Sequence, residues 1–174
     1  MTINFEFRKQ VMDYHIGSDL IKYCYQCSRC ADNCPVTKVT TDFYTTTGYN
    51  PRNNILNALL GYKDAIFSAD PLTIWGCTVC DTCDEVCPQK IELTEIFAFL
   101  KNQSVKQGKA PEFIYSQAKM IFENAKAIPS QPAIERRREQ LGLPNIMTPD
   151  VNELQMLLRN IGADKNLNKH LEDD

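Results

Sequence analysis

Apolar side chains recur every three or four residues along much of the chain, which is the spacing of one face of an α helix. This pattern predicts a helix over residues 92–106, with Gly108 as the residue that follows its end. Asn50 and Pro51 have the character of an N-cap and a first helical residue, and Gly61 follows the next apolar stripe. Few runs alternate with period two, so the pattern predicts an all-α fold.

Shorter segments of the chain carry weaker helical signals. Ser18 and Asp19 resemble the start of a helix that leads into Cys24, and residues 70–75 form a second short candidate. Pro111 is expected to open a longer helix, whose face carries Ile114, Ala118, Ile121, Phe122 and Ala125. Residues 1–17 mix aromatic and charged side chains without a clean period, so no element is assigned there.

The character of the sequence changes after residue 128, where prolines divide the chain into short pieces. Helices are expected over residues 132–141 and 149–161, and residues 163–174 are polar and expected to fray. We therefore predict a domain of residues 1–128 and an extended helical C-terminal tail of residues 129–174 that packs on a partner protein. An ordinary helical subdomain explains the periodicity of this tail equally well.

Length, composition and charge restrict the class of protein. The 174 residues include 43% hydrophobic and 24% charged side chains, which is ordinary for a globular protein. No apolar stretch is long enough to span a membrane, and the N-terminus has no secretory h-region. The net charge of −3 argues against a nucleic-acid partner. The sequence therefore predicts a cytoplasmic protein, a compartment in which thiols stay reduced.

The cysteines form an internal repeat that uses all eight of them. Each set has the spacing Cys-x2-Cys-x2-Cys-x3-Cys-Pro, which is typical of proteins that bind two [4Fe–4S] clusters. The first three cysteines of a set can surround one cluster on a tight loop, and the fourth points towards the other cluster. We therefore expect Cys24, Cys27, Cys30 and Cys87 to bind cluster 1, and Cys77, Cys80, Cys83 and Cys34 to bind cluster 2.

Other uses of the cysteines fit less well. Four disulfides would need an oxidising compartment, and zinc sites usually combine two pairs of cysteines rather than two sets of four. A three-iron cluster is disfavoured because neither set lacks a cysteine. His15 and His170 belong to no catalytic motif, and no phosphate-binding or dinucleotide-binding motif occurs, so we expect no catalytic site on this chain.

Residues 24–35 and 75–88, together with residues 143–146, resemble the C subunit of heterodisulfide reductase from methanogenic archaea. The helix expected between the two cysteine sets is similar to the α-helical ferredoxin fold. The resemblance implies an electron-transfer subunit of an oxidoreductase, which passes electrons from a flavin-containing A subunit to a catalytic B subunit. In that family the B subunit reduces the heterodisulfide of coenzymes M and B, and the complex can include a hydrogenase or formate dehydrogenase module.

Two further functions remain open from the sequence. Similar two-cluster modules occur in the iron–sulfur subunits of other flavin-linked oxidoreductases, of the glycolate, glycerol-3-phosphate or fumarate type. A zinc-stabilised interaction module is an alternative from a different class, and it would be colourless where iron–sulfur clusters are brown.

The charged residues near each cysteine set predict an order of reduction potentials. The first set is flanked mainly by bases, whereas Asp81, Asp84 and Glu85 flank the second. Adding an electron makes a cluster more negative, so nearby acids disfavour its reduction. We therefore expect the lower potential at cluster 2.

Overall fold

The computed structural model describes residues 2–40, 48–67, 70–147 and 149–168. Within these ranges the chain forms twelve α helices and one 3₁₀ helix, and it forms no strand. The expected all-α fold is therefore confirmed. None of the helices in the described ranges is long and apolar enough to cross a membrane.

The chain divides into two compact units, residues 1–110 and 111–174. The sequence analysis placed its boundary one helix later, after residue 128. Unit 1 contains α1 (Phe5–Met12), a 3₁₀ helix (Ser18–Tyr23), α2 (Arg29–Asn33), α3 (Pro35–Thr40), α4 (Pro51–Leu60), α5 (Lys63–Phe67), α6 (Leu72–Trp75), α7 (Thr82–Glu85) and α8 (Leu93–Lys106). Unit 2 contains α9 (Glu112–Asn124), α10 (Pro132–Gln140), α11 (Val151–Asn160) and α12 (Ala163–Asn168).

The ends of α4 follow the local signals in the sequence. The Asn50 side chain accepts a hydrogen bond from the Asn53 amide at 3.2 Å, which satisfies one of the free amides of the first turn. Pro51 begins the helix, and Gly61 ends it with a φ of 75°. A side chain at Gly61 would also collide with the Asn4 carbonyl, because its Cβ would lie 2.6 Å from that oxygen. Glycine therefore permits both the turn and the close approach of the N-terminal segment.

Helix α1 lies in the segment to which the sequence analysis assigned no element. Its N-cap, Asn4, accepts a hydrogen bond from the Phe7 amide at 2.8 Å. Phe7 and Val11, four residues apart, are both buried in the core. The N-cap and this short apolar repeat were the available signals, and the many charged neighbours of these residues obscured them.

The core of unit 1 is formed chiefly by α1, α4 and α8. The fully buried side chains at its centre include Ile21, Ile55, Ile96, Phe97 and Leu100. Several partly buried cysteines also pack against this core, namely Cys24, Cys30, Cys77, Cys83 and Cys87. The core therefore supplies the apolar support on which the two cysteine loops rest.

In unit 2, α9 packs against α11 and α12. The Gln155 side chain donates to the Phe122 carbonyl at 3.0 Å, and the Arg159 guanidinium lies 5.6 Å from the centre of the Phe122 ring. Helix α12 occupies part of the segment expected to fray, whereas residues 169–174, which include His170, lie outside the described residues.

Candidate metal centres

The two cysteine loops repeat the same backbone geometry. In each loop, the residue before the second cysteine and the residue after it have positive φ angles. These are Gln26 and Ser28 in the first loop, with φ of 56° and 69°, and Val79 and Asp81 in the second, with φ of 55° and 58°. Left-handed conformations cost an L-residue roughly 1–2 kcal/mol each. Strained backbone of this kind is typical of functional sites, and no glycine in the loops signals it in the sequence.

The first loop borders a solvent-connected cavity with about 410 Å³ of atom-free space, which we call cavity 1. Ile55 from α4, together with Ile91 and Leu93 near the start of α8, contributes apolar walls, and Arg52 contributes a cation. The cysteines that line cavity 1 are Cys24, Cys27, Cys30 and Cys87.

The second loop borders a solvent-connected cavity with about 310 Å³ of atom-free space, which we call cavity 2. Tyr49, Pro51 and Thr94 contribute to its walls from outside the loop. The cysteines that line cavity 2 are Cys34, Cys77, Cys80 and Cys83. The eight thiols thus fall into two groups of four, one group lining each cavity.

Two short helices explain why the last cysteine of each set reaches the other cavity. Helix α2 contains Cys30 and ends just before Cys34, α7 contains Cys83 of the second set, and the two helices pack against each other. Cys34 follows the end of α2 in an extended conformation, and Pro35 begins α3 in a new direction. This packing carries Cys34 and Cys87 across to the opposite loop.

The protonation of the thiols depends on burial and on local hydrogen bonds. Burial raises the pKa of Cys30 to about 11 and that of Cys83 to about 12. The pKa of Cys80 is lowered instead, mainly by its hydrogen bond to the Thr82 side chain. Cluster binding requires thiolates, and a cationic iron core offsets the cost of burying their negative charge.

The donor set fits iron–sulfur clusters better than single zinc ions. None of the eight thiols forms a disulfide. Each cavity is lined by four thiols drawn from two cysteine sets, and the spacing of these sets is typical of proteins with two iron–sulfur clusters.

Polar groups of the chain contact one or more thiols in each cavity. The Gln26 amide nitrogen donates to Cys24 Sγ at 3.3 Å, and the Thr37 backbone amide donates to Cys34 Sγ at 3.5 Å. Thr94 Oγ1 lies 3.9 Å from Cys83 Sγ. Such contacts hold a ligating sulfur in place and influence the potential of the cluster that it binds.

Asp84 connects the second loop to the start of α8. Its carboxylate accepts a hydrogen bond from the Thr94 backbone amide at 3.1 Å, close to the helix N-terminus. The sequence analysis counted Asp84 only as a charge near the second set. Its structural role was not visible there because Thr94 lies ten residues away, on another element.

Cys77 is surrounded by residues that the sequence analysis did not associate with it. Tyr49 is fully buried, lines cavity 2 and has its side chain within hydrogen-bonding reach of Cys77. Burial raises the pKa of Tyr49 far above its usual range, so its hydroxyl stays protonated. Gly76 allows this packing, because a Cβ there would lie 2.8 Å from Tyr49 Cβ. The Lys101 ammonium donates to the Cys77 carbonyl at 2.6 Å.

Comparisons with known proteins agree with this geometry. The family model described as a 4Fe-4S dicluster domain matches residues 20–91. The chain is 31% identical to the iron–sulfur C 2 subunit of the CoB–CoM heterodisulfide reductase of Methanocaldococcus jannaschii, over 86% of this chain and 80% of that relative. The chain belongs to this family of iron–sulfur C subunits. Its cofactors are accordingly two [4Fe–4S] clusters, and the resemblance noted in the sequence is confirmed.

Two further relatives of the same kind show similar coverage. The C subunit of the H(2):CoB-CoM heterodisulfide,ferredoxin reductase of Methanothermobacter marburgensis is 28% identical, over 86% of this chain and 79% of its own length. The C2 subunit of the H(2)/formate:CoB-CoM heterodisulfide,ferredoxin reductase of Methanococcus maripaludis is 30% identical, over 83% of this chain and 77% of its own length. The similarity therefore extends well beyond the cysteine loops.

Proposed function

We propose that this protein passes single electrons from a flavin-containing A subunit to a catalytic B subunit, which reduces the heterodisulfide of coenzymes M and B. The observation that carries this proposal is that each cavity has an exposed cysteine in its wall, Cys27 in cavity 1 and Cys80 in cavity 2. A partner protein could therefore approach either centre closely. A relay needs two such approaches, one for entry and one for exit.

The proposed ligands are the two groups of thiols that line the cavities. Cys24, Cys27, Cys30 and Cys87 would hold cluster 1, and Cys34, Cys77, Cys80 and Cys83 would hold cluster 2. A [4Fe–4S] cluster supplies reversible one-electron redox chemistry. The chain binds the iron, and side chains such as Ile55 and Ile91 exclude water from the inner wall of cavity 1.

The names of the relatives support the wider assembly that we propose. One relative belongs to a reductase named for H(2), and another belongs to one named for H(2) or formate. We infer that a hydrogenase or formate dehydrogenase module can join the complex of this chain as well. We also infer a cytoplasmic location and place the bond-breaking chemistry on the partner subunits.

The C-terminal tail, residues 129–174, is proposed to dock on a partner, with residues 1–128 as the cluster-bearing domain. Helix α11 has no buried residue, and Met156 and Leu157 are exposed on it. Ile161, immediately after the helix, is 77% exposed. An apolar surface of this kind is typical of a protein–protein contact.

The proposal can be tested by assembling the complex with and without this chain. The A subunit is reduced anaerobically, and reduction of the heterodisulfide by the B subunit is followed in single turnover. We expect little turnover without the chain and recovery when cluster-loaded chain is added. The chain without its clusters is the matched control and should not restore turnover. Equal rates with and without the chain would refute the relay.

A further inference from the structure

Lys101 brings a positive charge from a distant part of the sequence to Cys77, one of the residues that line cavity 2. It lies on α8, 24 residues after Cys77, and its ammonium donates to the Cys77 carbonyl at 2.6 Å. The same ammonium lies 5.5 Å from the centre of the Trp75 ring. These two contacts hold the charge beside the backbone of one cysteine of cavity 2.

The Trp75 ring that contacts Lys101 is itself held in place by a buried residue of α8. The Trp75 indole nitrogen donates to Ser104 Oγ at 3.3 Å, and Ser104 is 1% exposed. Ser104 and Lys101 lie three residues apart on α8, so the helix, the indole ring and the ammonium form one connected group. The position of the charge is therefore set by packing.

No carboxylate neutralises this charge within the described part of the chain. The ion pairs seen there include Lys22 with Asp19 and His15 with Glu92, and neither of these involves Lys101. Lys101 is half-buried and its ammonium is bonded to a carbonyl, so water screens its interaction with nearby charges less than it screens that of an exposed lysine. Negative charge added in cavity 2 would interact favourably with it.

We propose that Lys101 is a positioning residue that holds Cys77 through its carbonyl and raises the reduction potential of cluster 2. This inference rests on the proposed ligand set of cavity 2. The acidic residues that flank the second loop, Asp81, Asp84 and Glu85, are expected to lower the reduction potential of cluster 2. The positive charge of Lys101 acts in the opposite direction. At cavity 1, no lysine donates to a cysteine carbonyl among the described hydrogen bonds. Gln26 there donates directly to the sulfur of Cys24.

The test compares Lys101→Met, Lys101→Gln and Lys101→Arg in the full chain loaded with clusters. Iron and acid-labile sulfide are counted first, and the two midpoint potentials are then measured by EPR-monitored redox titration. Lys101→Met removes both charge and hydrogen bond, Lys101→Gln removes the charge but keeps a donor, and Lys101→Arg keeps the charge. Lys106→Met is the matched control, because it removes an exposed lysine from the same helix.

We expect Lys101→Met and Lys101→Gln to lower the equilibrium constant for reduction of cluster 2 about tenfold, which is about 59 mV for one electron. Lys101→Arg should stay close to wild type, and Lys106→Met should change neither midpoint. The cluster 1 midpoint serves as an internal reference and should stay constant.

Unchanged midpoints in Lys101→Met or Lys101→Gln with full iron content would overturn the inference and leave the ligand set intact. If Lys101→Met lost its iron, Lys101→Gln would decide by the same criterion. If Lys101→Gln also lost iron while Lys101→Arg kept it, the cluster 2 midpoint of Lys101→Arg would decide. A midpoint near that of the wild type would support a role for the positive charge. A fall of about 59 mV, as expected for loss of the charge, would overturn the inference. A shift in the cluster 1 midpoint alone would instead contradict the ligand set.

Discussion

Individual cysteines in the two loops have different surroundings despite their identical spacing. Cys27 and Cys80 are exposed, whereas burial raises the pKa of Cys30 and Cys83. The fourth cysteine of each set does not line the same cavity as the first three. The exposure of each thiol and the cavity that it lines therefore depend on the fold around it, although the spacing of the two sets is identical.

Replacing Cys34 or Cys87 with Ala tests the crossed arrangement of the thiols. Because Cys34 lines cavity 2, Cys34→Ala should damage cluster 2 and resemble Cys80→Ala in its EPR spectrum. Cys87→Ala should damage cluster 1 and resemble Cys27→Ala. Each variant should lose about half of the bound iron, since one of two clusters is affected. The opposite pairing of spectra would show that each set of four binds its own cluster.

Among the secondary-structure elements, α4 and α8 link the two cavities to the core. Helix α4 supplies Pro51 to cavity 2 and Ile55 to cavity 1, so one short helix borders both. The Asn54 side chain also donates a hydrogen bond to the Thr73 carbonyl, which joins α4 to α6. A change at the start of α4 should therefore affect both metal centres.

Asn50→Ala tests the importance of the α4 N-cap. Loss of the hydrogen bond to the Asn53 amide should reduce the free energy of unfolding by about 1 kcal/mol. Anaerobic urea unfolding, followed by circular dichroism and by the visible absorbance of the clusters, measures this change. Asn53→Ala is the matched control, because its exposed side chain is not the cap. Equal destabilisation by both substitutions would contradict a specific capping role.

The whole molecule joins cysteines that are far apart in sequence. Cys34 precedes Cys77 by 43 positions, yet both line cavity 2. Closing such a segment costs conformational entropy, which metal binding helps to offset. All eight cysteines lie in unit 1, so the dependence on clusters should be greatest there.

Removal of the clusters should loosen unit 1 more than unit 2. We expect the cluster-free chain to lose helical circular dichroism and to be digested faster than the loaded chain. Hydrogen exchange should rise mainly over residues 1–110, with a smaller change over residues 111–174. Reconstitution with iron and sulfide should reverse these effects. Equal protection in both forms would mean that the apolar core alone holds the fold.

The sequence by itself determined the cofactor type and the helical class. Ligand identity and spacing are local properties, and so are the apolar repeat of α8 and the cap of α4. Only the tertiary structure decided which distant groups meet the loops. Asp84 reaches the start of α8, Tyr49 enters cavity 2, and Lys101 reaches the Cys77 carbonyl. These contacts depend on how helices pack across long separations in sequence, and neither periodicity nor motif spacing records that packing.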